Sequence, residues 1–513
     1  MTLKIKDSNQ LSVWQLLEKR VALSPEKEML IDGYSGEILT FEQCKDKATQ
    51  LAGGFYKLGI RPGDTVSWQF PTGAEAVIIS LALARLGVIQ NPILHLYLGR
   101  EIANILQQAN PRWILLPENA KNAALVGEIV DERQLDSRLE LVTQAFYLDS
   151  AVMLPPAPTD RMARSWIYCT SGTTSGPKGA LHTDRSIIAG GCGLGESMRT
   201  SSDDVGSIAY PYAHIGGAMY LAMVLVWGIP VVLLSRFVME EAAKIFSRHG
   251  VTLAGGSTAH YQAWLALQRK MPGEPVVPTL RLLCGGGASK PPQIYFDIKA
   301  EMGVTVLHAY GMTESPLVAH NTLDSTDQHR ANTDGRAVLG MEIRIEKPDG
   351  SQAVANEEGE ILIRGDCLFS GYLDIQQTAS AMSGSYYRTG DVGSLDEEGY
   401  LSITGRLKDI IIRKGENISA LEVEEVLRKH DRVKEVAVIG LPDEERGERV
   451  CAVFEADSMP LSHQEMVDLL TEQGLMKQKW PEQMECVSQL PRSEALGKVS
   501  KQALREYFAS KQP

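Results

Sequence analysis

Cysteine is scarce and scattered in this chain. The seven cysteines form no Cys-x-x-Cys pair and no Cys/His cluster, which excludes a structural zinc site of ordinary spacing and a disulfide framework. Dispersed thiols fit a reducing compartment. Basic runs are missing as well: 51 Lys+Arg stand against 64 Asp+Glu, a formal net charge of −13. That balance argues against a nucleic-acid footprint or an anionic membrane as partner, so any anionic ligand must be met by local charges. Long apolar runs are interrupted. Residues 76–94 are broken by Arg85, Gly87 and Pro92, and residues 219–234 by Gly228-Ile229-Pro230. Neither reaches the about 20 residues a membrane span requires, and each reads as a buried helix followed by a core strand. Residues 1–10 are charged and carry no apolar h-region, so no secretory signal is expected and a cytoplasmic location is.

A chain of 513 residues exceeds one ordinary domain, so two or more units are expected. Residues 12–57 read as helix, turn around Asp32-Gly33-Tyr34-Ser35-Gly36, and helix, with Thr40 as N-cap before Phe41. A strand is expected at 65–68, and β-rich runs at 113–116, 139–142, 231–234 and 280–283 alternate with apolar helices. Such alternation predicts an α/β layered body. After Arg336 the texture changes to short strands with Gly and Asp turns, which suggests an antiparallel sheet or small barrel. Residues 420–429 and 464–473 read as helices and 436–440 and 449–455 as strands, enough for a small α+β domain with its own core. No internal repeat or low-complexity linker separates the two, so a short hinge near Gly405 is expected.

The densest chemistry lies in Tyr168-Cys169-Thr170-Ser171-Gly172-Thr173-Thr174-Ser175-Gly176-Pro177-Lys178-Gly179. Glycines let successive N–H groups curl around an anion, hydroxyls add donors, and Lys178 supplies a point charge, so the loop suits a polyphosphate. It is not a Walker A loop, because Pro177 separates Gly176 from Lys178. In its order of residues it resembles the phosphate loop of the adenylate-forming, AMP-binding superfamily: acyl-CoA synthetases, peptide-synthetase adenylation domains and luciferases. The resemblance extends over most of the chain and implies a large N-terminal body, residues 1–405, and a small mobile C-terminal domain, residues 406–513.

Further segments carry the same resemblance, and each implies a role. Tyr310-Gly311-Met312-Thr313-Glu314 is similar to the segment whose tyrosine packs on adenine, whose threonine meets the α-phosphate and whose glutamate joins the Mg²⁺ shell. Mg²⁺ prefers one or two carboxylates plus substrate phosphates. Gly287-Ala288-Ser289 stands where the family packs small residues on the other adenine face. Asp391, in Thr389-Gly390-Asp391, is expected to accept from the ribose hydroxyls, and Arg406 to reach ribose or phosphate. Lys408 occupies the hinge position, and Gly415, in Lys414-Gly415-Glu416, lies in the loop at the CoA thiol's entry, where many relatives have glycine in place of Lys414. Lys498 matches the lysine that drives adenylation, although four residues rather than the usual three separate Arg492 from Gly497-Lys498. Lys501, three residues on, is the alternative cation for the phosphate.

The implied activity is that of an acid–thiol ligase using ATP, Mg²⁺ and CoA: a carboxylate attacks the α-phosphorus, pyrophosphate leaves, and a thiol displaces AMP from the acyl adenylate. Relatives that activate amino acids place an aspartate at the start of the acyl pocket, and those for 2-hydroxyaryl acids an asparagine. Tyr210-Pro211-Tyr212-Ala213-His214-Ile215-Gly216-Gly217 has neither, so an apolar acid is expected, with Tyr212, His214, Gly216 and Gly256 lining the pocket. Gly255-Gly256 and Gly285-Gly286 are expected to leave it roomy, and His214 reads either as a gate or as a core histidine. Residues 477–482 look most like alicyclic and medium-chain acyl-CoA ligases. CoA is the expected acceptor, on the expectation that no carrier domain follows Pro513. A stand-alone ligase that loads a carrier protein, a nucleotide-binding pseudoenzyme and a luciferase-like oxygenase stay open on the residues alone.

Overall fold

The computed structural model describes residues 3–147, 152–169, 178–288, 290–413, 416–443, 446–492 and 499–509. Two compact units emerge: residues 1–343 with 363–387, and residues 344–362 with 388–513.

The first unit is layered from two sheets and the helices that cover them. One sheet runs in the order Gly335–Ala337, Ser315–His320, Thr305–Met312, Leu282–Gly286, Leu253–Gly256, Gly206–Ile208, Val231–Leu233, Glu28–Asp32, Ile38–Thr40. Its centre is parallel, with Leu253 opposite Leu282 and Leu282 opposite Thr305. A second, seven-stranded sheet runs Gly371–Tyr372, Gly179–Thr183, Arg164–Cys169, Ile89–Pro92, Thr65–Trp68, Trp113–Pro117, Arg138–Val142.

Local chemistry explains the helix ends. Thr40 Oγ1 accepts from Gln43 N–H, the Gln43 side chain accepts from Thr40 N–H, and the helix Phe41–Leu58 stops at left-handed Gly59. Both interrupted apolar runs are buried helices, Ala74–Leu86 and Ile215–Trp227, each followed by a core strand. Among the described residues no helix is long and apolar enough to cross a membrane. At the end of Ile215–Trp227 the buried Arg20 guanidinium donates to the carbonyls of Leu225 (2.7 Å) and Val226 (2.5 Å), satisfying acceptors that the helix itself leaves open. Burial lowers the Arg20 pKa to about 10, still well above neutral pH.

The second unit holds a five-stranded sheet with Val436–Asp443 and Gly447–Glu455 at its heart, paired antiparallel from Val436 opposite Phe454 to Asp443 opposite Gly447. Both faces are buried, and the side-chain period of two sorts them. Val436, Val438, Ala452 and Phe454 pack under the helices Ala420–Leu427 and His463–Glu472, whereas Ala437, Ile439, Cys451 and Val453 meet Leu504 and Phe508 of Lys501–Ala509. The expected small α+β core is therefore present. The short strands after Arg336 do not close a barrel: Gly371–Tyr372 adds to the seven-stranded sheet, while Tyr386–Leu395 and Tyr400–Arg406 form an antiparallel pair. The strand expected at 280–283 is shifted to Leu282–Gly286, because the parallel ladder to Gly256 and Ala309 carries it through two glycines that local propensity disfavours.

Three histidines, His182, His308 and His320, are almost completely buried in the first unit. Burial holds them down to about 4, about 3 and about 4 respectively, so they are neutral in the folded chain. Between those values and the unfolded value near 6.5 the unfolded chain binds protons that the folded chain refuses. Stability is therefore full above pH 6.5 and falls as pH drops toward 4, by about 1.4 kcal/mol per pH unit for each histidine. Thermal unfolding between pH 4 and 8 should show this decline, and His320→Gln should flatten it.

Candidate functional site

Thr313 and Glu314 form the tip of a tight hairpin between Thr305–Met312 and Ser315–His320, with Met312 opposite Ser315. A bulge between Tyr310 and Met312 bends the first strand at Gly311, where a Cβ would press on the carbonyl oxygen of Pro316 at 2.5 Å. The tip is held from the second sheet. His182 Nε2 lies 2.7 Å from the Thr313 carbonyl oxygen; a carbonyl only accepts, so Nε2 carries the proton and Nδ1 accepts from Ser186 Oγ at 2.9 Å. Phe369 N–H donates to the Glu314 carbonyl at 2.8 Å. The Tyr372 hydroxyl donates to Glu314 Oε1 at 2.6 Å and lies 2.9 Å from the Tyr387 hydroxyl. Phe369 meets the rings of Tyr372 and Tyr387 edge-on at 4.8 and 5.2 Å.

Lys178 belongs to the same cluster. Its Nζ stands 5.2 Å from the centre of the Tyr372 ring, and the strand that follows it, Gly179–Thr183, pairs antiparallel with Gly371–Tyr372. Burial and the neighbouring Glu314 carboxylate raise the Tyr372 phenol far above its usual range, so it stays protonated and donates. The structure therefore brings Lys178, Thr313 and Glu314 together. Thr170, Ser171, Gly172, Thr173 and Thr174 of the phosphate loop, Ser289, Gly415 and Lys498 lie outside the described residues.

Glu314 fits a Mg²⁺ ligand. Its side chain is buried at the strand turn, Oε1 is oriented by Tyr372, and Oε2 accepts no hydrogen bond from the described residues. Among the described residues no group of three or more His, Cys, Asp or Glu could hold an ion alone. One carboxylate completed by phosphate oxygens and water is what Mg²⁺ prefers.

Tyr310 and the turn after Leu282–Gly286 also come together, since Gly286 stands opposite Ala309 in the parallel ladder. Gly287 takes φ +82, and the next carbonyl, that of Ala288, accepts from His308 Nε2 at 3.1 Å and Thr258 Oγ1 at 3.5 Å. Asp391 and Arg406 form a second group, opposite one another on the antiparallel strands of the second unit and paired at 2.7 Å. Lys408 sits in the turn Leu407–Asp409; Arg505 donates to its carbonyl at 3.4 Å and pairs with Asp409 at 3.0 Å. Burial, then Arg406, lowers the Lys408 pKa.

The acyl-pocket residues divide. His214 is the N-cap of Ile215–Trp227, its Nδ1 accepting from Gly216 N–H at 3.1 Å, which is a structural duty. Tyr212 is a core residue 6.1 Å from Trp68 in a stacked arrangement, its N–H donating to Thr72 Oγ1 at 2.9 Å. Gly216 and Gly256 are half-buried. The glycines expected to give room instead permit close approach: a Cβ on Gly285 would overlap the Gly256 carbonyl, and Gly256 itself adopts φ +153 against His260. Sequence reasoning missed Cys284, whose Sγ lies 3.4 Å from His320 Nε2, and whose thiol burial pushes up to about 12. It is a neutral donor, not a nucleophile. His182 and Tyr372 were also missed; neither lies in a run with a chemical signature.

The chain belongs to the AMP-binding enzyme family: the model of that family matches residues 17–373, and that of the AMP-binding enzyme C-terminal domain residues 422–498. It is 29% identical to the medium-chain fatty-acid–CoA ligase of Escherichia coli (strain K12) over 519 residues, 98% of this chain and 90% of that one. Its structure matches o-succinylbenzoate CoA synthetase from Bacillus subtilis in complex with the acyl-adenylate intermediate, with a TM-score of 0.86, 26% identity and coverage of 96% and 98% of the two chains. The same enzyme in complex with ATP and magnesium ion matches with a TM-score of 0.85, 25% identity and the same coverage. These findings bear out the expected adenylate-forming acid–thiol ligase dependent on ATP.

Lys501, the alternative cation, is already engaged: its Nζ pairs with the buried Glu424 carboxylate at 2.7 Å, which also accepts from Val438 N–H at 2.7 Å. Lys501→Ala should therefore destabilise the second unit by about 1–3 kcal/mol while leaving adenylation near wild type. Chemical denaturation and ATP–pyrophosphate exchange on the same preparation check both halves.

Proposed function

We propose that this protein activates an apolar carboxylic acid, medium-chain or cyclic, as its acyl adenylate and passes the acyl group to CoA in the cytoplasm. The observation that supports the reading is that Tyr372 carries the Lys178 ammonium over its ring and the Glu314 carboxylate at its hydroxyl, so that a cation for phosphate and a carboxylate for a metal ion meet at one side chain. The substrate carboxylate attacks the α-phosphorus of ATP and pyrophosphate departs. Both reactants are anions, so neutralising charge is the main catalytic task. Glu314, with the substrate phosphates, would hold Mg²⁺, which would supply part of that neutralisation. Lys178 contributes an ammonium, the Thr313 hydroxyl bonds the α-phosphate, and Lys498 stabilises charge developing there. Tyr310 and the turn at Gly287 and Ala288 enclose adenine; Asp391 accepts from the ribose hydroxyls beside Arg406. A thiol then displaces AMP. Lys408 is the swivel of a mobile domain beginning at residue 406, and the loop of Gly415 receives the thiol.

The acid's chemistry is argued from the charges around the parallel strands Leu253–Gly256, Leu282–Gly286 and Thr305–Met312, since sheets of this kind bind ligands outside the carboxyl ends of their strands. Cys284 and His320 are both neutral there, and residues 210–217 contain no Asp or Asn. An ammonium or second carboxylate would be buried unpaired, at a cost of several kcal/mol. In a panel assayed for AMP release with and without CoA, apolar acids should outperform glycine, alanine and 2-hydroxybenzoate, and release should depend on free CoA. An unmodified amino acid as best substrate, or thioester formed only on a phosphopantetheinylated protein, would refute this.

The two half-reactions should separate by mutation. Lys498→Ala should slow adenylation by about 10²- to 10³-fold, the scale of losing one preorganised charge stabiliser, and spare thioester formation from a pre-made adenylate. Lys408→Pro should do the reverse, since proline fixes φ at the swivel. Pyrophosphate exchange and single-turnover thioester assays distinguish them, and equal loss of both half-reactions in Lys498→Ala would count against the assignment.

A further inference from the structure

Tyr372 lies in no phosphate, metal or nucleotide segment, yet its side chain touches both charged members of the site. The chain route to it is long: 58 residues separate it from Glu314. Its backbone is fixed by the antiparallel pairing of Gly371–Tyr372 with Leu181 and Ala180, by Ser370 N–H donating to Leu181 O at 2.8 Å and by Leu373 N–H donating to Gly179 O at 2.8 Å. A rigid frame therefore sets the phenol between the strand that leaves Lys178 and the turn that carries Glu314.

We propose that Tyr372 is a positioning residue that sets the Glu314 carboxylate for Mg²⁺ through its hydroxyl and the Lys178 ammonium for phosphate through its ring. The proposal rests on the reading of Glu314 as the metal carboxylate and Lys178 as a phosphate cation. A carboxylate on a turn rotates about its own bonds. The 2.6 Å bond to Oε1 fixes that rotation and leaves Oε2 for the ion, while the ring face under Lys178 favours a cation at one height above it. The Tyr387 hydroxyl, 2.9 Å from that of Tyr372, orients the phenol in turn. The two functions sit on different atoms, so they separate by substitution.

Tyr372→Phe removes the hydroxyl and keeps the ring; Tyr372→Leu removes both. Two quantities are read on the full-length protein. One is the Mg²⁺ concentration for half-maximal ATP–pyrophosphate exchange. The other is calorimetric binding of a non-hydrolysable ATP analogue in Mg²⁺ and in EDTA. In Tyr372→Phe the half-maximal Mg²⁺ concentration should rise about tenfold or more, the scale of a hydrogen bond to a charged group. Binding in EDTA should change less than about twofold, because the ring remains. Tyr372→Leu should show the same Mg²⁺ shift and also weaker binding in EDTA. A wild-type Mg²⁺ curve in whichever variant retains the wild-type melting temperature overturns the proposal, since a merely structural tyrosine would alter melting and not metal dependence. Glu314→Gln separates the levels: a shifted Mg²⁺ curve there with an unshifted one in Tyr372→Phe sinks the role of Tyr372, whereas an unshifted curve in Glu314→Gln sinks the assignment of Glu314 itself.

Discussion

The candidate site of the first unit depends on a few hydrogen bonds that cross between its two sheets. The hairpin tip bearing Thr313 and Glu314 belongs to one sheet; the donors that hold it, His182 Nε2–H, Phe369 N–H and the Tyr372 hydroxyl, come from or beside the other. A turn of two residues has little rigidity of its own, so its geometry is borrowed from these partners. The arrangement also requires His182 to be neutral, because only then does one ring nitrogen donate to Thr313 while the other accepts from Ser186. Complete burial secures that state throughout the physiological range.

Charge is distributed with the same economy. A chain of net charge −13 repels nucleotide polyphosphate at long range, and cations near the site must overcome this locally. In the first unit Lys178 stands above the Tyr372 ring; within the second unit, described by itself, Arg406 pairs with Asp391. One buried pair in the neighbouring strands of the first unit is neutral by contrast. Cys284 and His320 bond one another with the thiol protonated and the imidazole uncharged, so neither is a buried, uncompensated ion.

Burial decides between competing readings of several side chains. Lys501 stood in sequence as the alternative to Lys498, but its bond to the buried Glu424 commits it to holding helix Lys501–Ala509 against Ala420–Leu427 and the strand Val436–Asp443. His214, read in sequence as either a gate or a satisfied core histidine, caps the helix Ile215–Trp227. In both cases a polar group that could serve a ligand is instead satisfying an unavoidable debt of secondary structure or burial.

Much of the architecture was legible in residues close together in the chain. The cap at Thr40, buried helices ended by glycine, and the two-faced strands Val436–Asp443 and Gly447–Glu455 follow from short-range hydrogen bonding and side-chain period, which sequence records directly. The motif around Tyr310 to Glu314 was equally legible, because its members are contiguous. What only tertiary structure decided is who stands opposite whom. Tyr372 meets Glu314, and Cys284 meets His320 across 36 residues, through strand pairing between distant segments. A lone tyrosine or cysteine has no periodicity, and contacts made across sheets leave no local pattern. The glycines at 256 and 285 likewise read as open space in sequence; the fold shows them as the price of two backbones lying close together.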